Sequence, residues 1–232
     1  DAGIRINPRG WMACLPGVAS FVGGDITAGV LAAGIDEAEK PSLLIDLGTN
    51  GEIALGNREW LVCSSASAGP AFEGSGVRCG VRSVRGAVQG VTIDPESLST
   101  EIATIEDGAP VGLCGSGYIE LLSELLFSGL IDRQGALQPE RDRDRIREGP
   151  DGPEFVLVPV EETATDWDIV ITQADIENLI RAKGSIYSAA KVLLDRLGMT
   201  VEEIDQVYIG GGLGNHLNVE KAIPIGLLPD LP

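Results

Sequence analysis

Apolar residues in this chain recur at two spacings, and the switch between them maps the elements. Short apolar runs at Leu43–Leu47, Glu52–Leu55 and Trp60–Cys63, separated by tight turns, predict three successive strands in an antiparallel meander. The stretch 81–104 is strand-like again, with turns near Gly86, Gly90 and Asp94-Pro95, and Phe155–Val160 and Asp168–Ile171 give two further strands. Helical spacing takes over at Ile119, Leu122, Leu125 and Leu126, behind the glycine loop of GLCGSGYIELLSELLFSGLID. The longest helical face runs Ile176, Leu179, Ile180, Ile186, Ala190, Leu193, Leu194 and Leu197, opened by a capping-box-like Thr172 and Asp175 and stopped by Gly198. Asp25 or Thr27 is expected to cap a short helix through ITAGVLAAG that ends near Gly34, and another short helix follows at about 219–223.

Between these elements lie three irregular stretches. The opening residues, DAGIRINPRGWMACLPGVASFVGGD, read as a loop broken by Pro8, Pro16, Gly23 and Gly24. SSASAGPAFEGSGVRCG is too rich in small residues to pack as a regular element and is placed in a long loop. Residues 133–153 are charged and poor in apolar side chains, so a solvated excursion is expected there, reaching to about 167.

Charge and composition then narrow the function. The formal charge is −18, from 35 acidic and 17 basic residues among 232, which repels phosphate backbones and makes nucleic acid or an anionic membrane an unsuitable partner. Hydrophobic residues make up 44% of the chain, enough for a folded core. Cys14, Cys63, Cys79 and Cys114 are scattered, with no CxxC pair and a single histidine, so neither a zinc site nor an iron–sulfur site is expected from them, and reduced cytoplasmic thiols are the simplest account. No apolar run approaches the roughly 20 residues that cross a bilayer, and no signal peptide is visible. The start at Asp1 reads as mid-sequence, so a fragment is expected.

Four glycine-bearing loops carry the candidate chemistry: Asp46–Glu52, Ser67–Gly76, Gly112–Gly117 and Gly210–Asn215. Glycine lets backbone amides approach a ligand and wrap a phosphate, and a helix that starts behind such a loop adds free N–H groups and its positive dipole end. In DLGTNGE, Asp46 at a strand end suits a magnesium-bound water or the orientation of a nucleophilic water, Gly48 and Gly51 expose amides, and the Thr49 hydroxyl can donate to a phosphate oxygen. A β-hairpin with an Asx turn would give the same pattern. IGGGLGN would let adenine or ribose lie against bare backbone, or would make a tight turn and nothing more. It is not a dinucleotide fingerprint, because Asn215 stands at the sixth position of GxGxxG. No Walker A motif is present, and no G-x-S-x-G surrounds Ser116. His216 reads as a loop histidine. Cys114 reads either as a reactive thiol or as a buried inert one.

Taken in order, FVGGDITAGVLAAG, LLIDLGTNGEIALGN, SSASAGPAFEGSGVRCG, GLCGSGYIELLSELL and IGGGLGNHLNVEKAIPIGLLP resemble the C-terminal ATPase domain of the reductive activators of corrinoid-dependent proteins, in the actin-like ASKHA superfamily. The resemblance spans nearly the whole chain and is weakest across 133–167. It implies an α/β fold, an actin-like, ribonuclease H-like ATPase lobe with a mixed sheet and flanking helices, comprising mainly the second lobe. It implies ATP-dependent reduction of a Co(II) corrinoid to Co(I), with electrons from an N-terminal [2Fe–2S] domain that this chain lacks. Carried over by motif, Asp46, Gly48, Thr49 and Asn50 meet phosphates and Mg²⁺, with Asp46 acting through water and Asp46 and Thr49 as the catalytic pair. Gly51 and Glu52 complete that loop. Gly210, Gly211, Gly212, Gly214 and Asn215 meet the adenosine, while Gly69, Glu73, Gly74, Gly115, Ser116 and Gly117 line the cleft. The partner implied is the corrinoid protein of a methyltransferase system, met in the cytoplasm by a homodimer.

Two departures from that pattern matter. No ferredoxin-type cysteine cluster is present, and the earlier Asp-x-Gly-Thr of the first phosphate loop is missing, so these residues alone are expected to bind ATP weakly or not at all. Two other readings stay open: a noncatalytic docking module that keeps the ancestral cleft, and a small-molecule kinase with Glu73 as the acceptor-activating carboxylate.

Overall fold

The structure is a computed structural model and describes residues 7, 9–18, 21–214 and 216–230. Along the chain come α1 (Gly24–Ala32) and the strands β1 (Ser42–Leu47), β2 (Gly51–Gly56), β3 (Leu61–Ala66), β4 (Ala87–Ile93), β5 (Thr100–Thr104) and β6 (Gly112–Leu113). Then follow α2 (Gly115–Phe127), β7 (Ile146–Gly149), β8 (Gly152–Val158), β9 (Ile169–Thr172), α3 (Gln173–Leu197), β10 (Gln206–Gly210), α4 (Gly211–Gly214) and α5 (Val219–Ala222). This is the mixed α/β class that the sequence implies.

The meander β1–β2–β3 gains β10 as a parallel neighbour of β1, so the strand order is β10-β1-β2-β3. Both faces of this sheet are covered. Leu43, Ile45, Leu47, Ile53 and Leu55 join the main core with Ile176, Leu179 and Ile186 of α3. Leu44 and Ala54 point the other way, into a smaller cluster with Ile26 and Val30 of α1. Double coverage explains why β1 reads as an unbroken apolar run rather than an alternation.

The capping box of α3 forms as expected. The Thr172 hydroxyl accepts from the Asp175 N–H at 3.1 Å, the Thr172 N–H donates to Asp175 at 3.0 Å, and Gly198 closes the helix at φ 66°. The cap of α1 is a correction. Gly23, not Asp25 or Thr27, holds the N-cap, and the Thr27 hydroxyl is spent on the Pro16 carbonyl at 2.7 Å.

α2 packs on β4, which is paired with β5 on one side and only briefly with the two-residue β6 on the other. Glutamates supply what β6 is too short to give: Glu120 accepts the Val91 N–H at 2.9 Å and Glu124 the Ile93 N–H at 2.6 Å.

The charged stretch is also corrected. Within 133–153, β7 pairs antiparallel with β8 and buries Ile146. The Arg145 guanidinium lies 5.0 Å from the Phe155 ring centre, and Arg147 pairs with Glu154 and Asp168 at 3.0 and 2.5 Å. These charges are compensated inside a three-stranded sheet, so a run that looks solvated contributes to the fold. The long loop at 67–76 likewise contains one 3₁₀ turn, Pro70–Glu73, with Ala71 and Phe72 buried.

Candidate functional site

Strand pairing builds the site row by row. In the parallel pair, Asp46 of β1 stands beside Gly210 of β10. Across the antiparallel pairs Asp46 faces Glu52, and Glu52 faces Ser65 of β3. One line across the sheet therefore reads Gly210–Asp46–Glu52–Ser65, and the turns at the ends of β1 and β10 lie side by side. Gly211, at φ 85°, follows in the left-handed region, and a Cβ there would sit 2.5 Å from the Leu47 carbonyl oxygen and 2.7 Å from Asp46 Oδ1. Only glycine lets the two turns come this close.

The other two loops reach the same place. The Thr49 hydroxyl donates to Glu73 Oε1 at 2.6 Å, tying the first loop to the 67–76 segment. A Cβ on Gly115 would fall 1.9 Å from the Phe72 carbonyl oxygen and 3.0 Å from the Leu213 side chain, so the start of α2 is wedged between that segment and α4. No side chain caps α2 at Cys114, and its first turn holds no acidic residue, which leaves its leading amides for a ligand. A cleft of about 350 Å³ opens where the four loops meet. Leu47, Gly48, Gly212 and Leu213 line one part of it, and Phe72, Glu73, Val81, Arg82, Ser83, Gly115, Ser116 and His216 the rest. Clefts of about 450 and 660 Å³ elsewhere are lined mostly by aliphatic side chains of α2, α3 and the last described residues, away from the glycine turns.

Carboxylates gather behind the Asp46 turn. Burial pushes the Asp46 carboxyl above its ordinary value, and the charge of Asp25 adds to the effect. Burial also raises Glu52, with the charges of Asp46 and Asp25 behind it, against a weak hydrogen bond donated by Ser65 at 3.4 Å. None of Asp25, Asp46 and Glu52 forms an ion pair among the described residues. Like charges directly opposite on adjacent strands are unfavourable, so this row does not stabilise the fold. No three His, Cys, Asp or Glu side chains among the described residues are set to hold a metal ion by themselves.

Of the residues singled out in the sequence, Asp46, Gly48, Thr49, Glu73, Gly115, Ser116, Gly210, Gly211 and Gly212 come together. Asn50 closes the first turn, its carbonyl accepting from the Gly48 N–H at 3.1 Å. Other glycines have packing duties: Gly51 makes room for the Ile186 side chain, Gly117 for the Val88 carbonyl, Gly74 for Val81 and Gly214 for Ile209. Gly69 lines a separate cleft with Asn178 and Ser185. Asn215 lies outside the described residues. Asp25, Ser65, Arg82 and Ser83 were missed, because each joins the site only through tertiary contact. Cys114 is buried with its thiol near the Val88 carbonyl and Ser116, and all four cysteines are unpaired.

Comparison with known proteins is consistent along the chain. Residues 40–232 match the C-terminal domain of RACo, the ASKHA domain, and residues 1–38 match the RACo middle region. The corrinoid activation enzyme RamQ of Eubacterium limosum is 34% identical over 239 residues, covering 100% of this chain and 40% of that protein. A Co(II) methylated amine-specific corrinoid protein reductase of Methanosarcina barkeri is 28% identical over 236 residues, covering 92% of this chain and 39% of that protein. The solved structure of a reductive activator for corrinoid, iron–sulfur protein superposes with a TM-score of 0.89 at 50% identity, covering 93% of this chain and 34% of the other. The chain thus spans about two fifths of the length of the curated relatives it matches.

Proposed function

This chain belongs to the RACo family, whose C-terminal ASKHA domain it carries, and from that premise we propose that it is the nucleotide-binding part of an ATP-dependent reductive activator of a corrinoid protein. The partner is the corrinoid protein of a methyltransferase system, met in the cytoplasm. The reaction served adds one electron to an inactive Co(II) corrinoid and returns it to Co(I). The electron comes from a [2Fe–2S] domain outside these residues; the four cysteines here are free and, among the described residues, form no cluster that could carry it.

One observation carries the reading: four sequence-distant glycine turns line or border a single cleft, with an unpaired carboxylate row at its edge. The Gly48 and Gly212 turns and the start of α2 offer bare backbone to phosphates and ribose. Asp46, held at the end of β1, orients a water toward the terminal phosphate. Thr49 is already positioned by Glu73, and its hydroxyl can turn to a phosphate oxygen. Magnesium bound with the nucleotide would neutralise phosphate charge; the three unpaired carboxylates suit its preference for hard oxygen donors, reached through water rather than by direct ligation. Coupling ATP turnover to an uphill electron transfer needs a site that distinguishes nucleotide states, and a cleft built between separate sheets can close differently on each.

The test is reactivation followed by the absorbance of the corrinoid. The complete protein, its [2Fe–2S] domain kept reduced by an added electron donor, should convert Co(II) to Co(I) when ATP is supplied, and Asp46→Ala should abolish the ATP dependence. Undiminished reactivation by Asp46→Ala would favour a noncatalytic docking role instead.

A further inference from the structure

The cleft has to accept a polyanion, yet the chain around it carries a formal charge of −18. Backbone amides and a helix start offset only part of that field. Among the cleft's described lining residues there is one arginine or lysine, Arg82, which shares that lining with Glu73 and His216. Three other arginines are occupied: Arg78 pairs with Asp151, Arg145 with Asp142, and Arg147 with Glu154 and Asp168. Arg82 has no carboxylate within ion-pair distance among the described residues, and its side chain is exposed.

Its backbone is nevertheless well held. The Val81 N–H donates to the Leu113 carbonyl at 2.9 Å, Gly80 bridges to Leu113, and the Val84 N–H returns to the Arg82 carbonyl at 2.7 Å. Leu113 ends β6 just before α2, so Arg82 rides on the wall that carries Gly115 and Ser116, whereas Gly48 and Gly212 follow the ends of β1 and β10. A polyanion in the cleft would touch both walls.

We propose that Arg82 is the phosphate-binding cation of this site, which takes the phosphates of the bound nucleotide in its guanidinium fork and ties the α2 wall to the β1–β10 turns. This rests on the nucleotide reading given above. A planar fork with several donors matches phosphate oxygens two at a time, which a lysine ammonium does not. Unpaired among the described residues and exposed, Arg82 contributes little to folding stability, so its removal is felt in binding rather than in folding.

The experiment is calorimetric titration of MgATP into the complete protein, comparing wild type, Arg82→Ala, Arg82→Lys and Arg85→Ala. Arg85 supplies the control, an exposed arginine three residues on that does not line the cleft. Arg82→Ala should weaken ATP binding by about 10- to 100-fold, the range for loss of a charge-assisted contact. Its salt dependence should flatten. Arg82→Lys should fall between wild type and Arg82→Ala, Arg85→Ala should match wild type, and the melting midpoints of all four should coincide. If wild type binds MgATP and Arg82→Ala binds it as tightly as Arg85→Ala does, the role of Arg82 is overturned while the nucleotide site stands. A lowered midpoint with unchanged affinity assigns Arg82 to the fold and also overturns it. Absence of saturable MgATP binding by the wild type overturns both.

Discussion

Asp46 and Glu52 stand directly opposite each other on β1 and β2, with no cation paired to either among the described residues. Both carboxyls are raised above their ordinary values, chiefly by burial and then by neighbouring negative charge. A carboxyl with a raised folded-state pKa makes the native state bind protons more tightly than the unfolded state. Its unfavourable contribution is absent below the ordinary carboxylate range and grows as pH rises through the folded-state value. Glu52→Gln should therefore stabilise the nucleotide-free protein at pH 8 by roughly 0.2–1 kcal/mol, the scale of a cross-strand pair. That is up to about 4 °C in melting midpoint for a domain of this size, and the gain should shrink as the pH is lowered toward 4–5. Thermal melts across pH check this, and a gain that grows on acidification would contradict it.

Gly212 separates ligand contact from packing. A Cβ placed there meets nothing within 4 Å, although the residue lines the cleft. Gly212→Ala should leave stability unchanged or raise it by up to about 1 kcal/mol, because alanine is the better helix former. Nucleotide affinity should fall at least about tenfold. Gly211→Ala should lose both, since its side chain would collide with Asp46 and Leu47. Melting and calorimetry on the two variants together make the comparison.

The capping box of α3 does more than start a helix. Asp175 accepts the Thr172 N–H and, with its other oxygen, the Arg78 N–H at 3.0 Å. Asp175→Ala should cost about 1–2 kcal/mol and lower the midpoint by about 2–8 °C. Asp175→Asn should retain part of that. Urea unfolding monitored by circular dichroism reads the difference.

Lys221 of α5 pairs with Glu124 of α2, whose side chain is only 6% exposed, and the same carboxylate accepts the Ile93 N–H. Lys221→Met strands a buried negative charge and should cost roughly 3 kcal/mol. Adding Glu124→Gln should recover part of the loss. A double variant no more stable than the single one would show that the pair is not the source.

Much of this was legible in the sequence, for physical reasons that differ by element. β1 and α3 were clear because a doubly covered strand and a capped amphipathic helix each leave a strong local pattern. The glycine turns of 46–52 and 210–214 were found because glycine is needed where two backbones close on each other, as at Gly211 beside Leu47. What stayed hidden was set by partners distant in sequence. Strand β7 was masked because Arg145 and Arg147 look solvated until Asp142, Glu154 and Asp168 are brought beside them. Asp25 looked like a helix cap, yet Gly23 does that task and Asp25 instead adds its charge to Asp46. Arg82 gave no local signal, because its place in the cleft depends on Gly80 and Val81 meeting Leu113.

The gathering of the glycine turns around one nucleotide is tested most directly by where a nucleotide can be attached. Photolabelling of the complete protein with MgATP carrying an azide on its adenine ring, followed by peptide mass spectrometry, locates the bound base. The account predicts adducts within 72–83, 112–118 or 210–217, all suppressed by excess unmodified ATP. ATP-suppressible labelling confined to the cleft beside Lys183 and Ile225, or to no part of this chain, would contradict it.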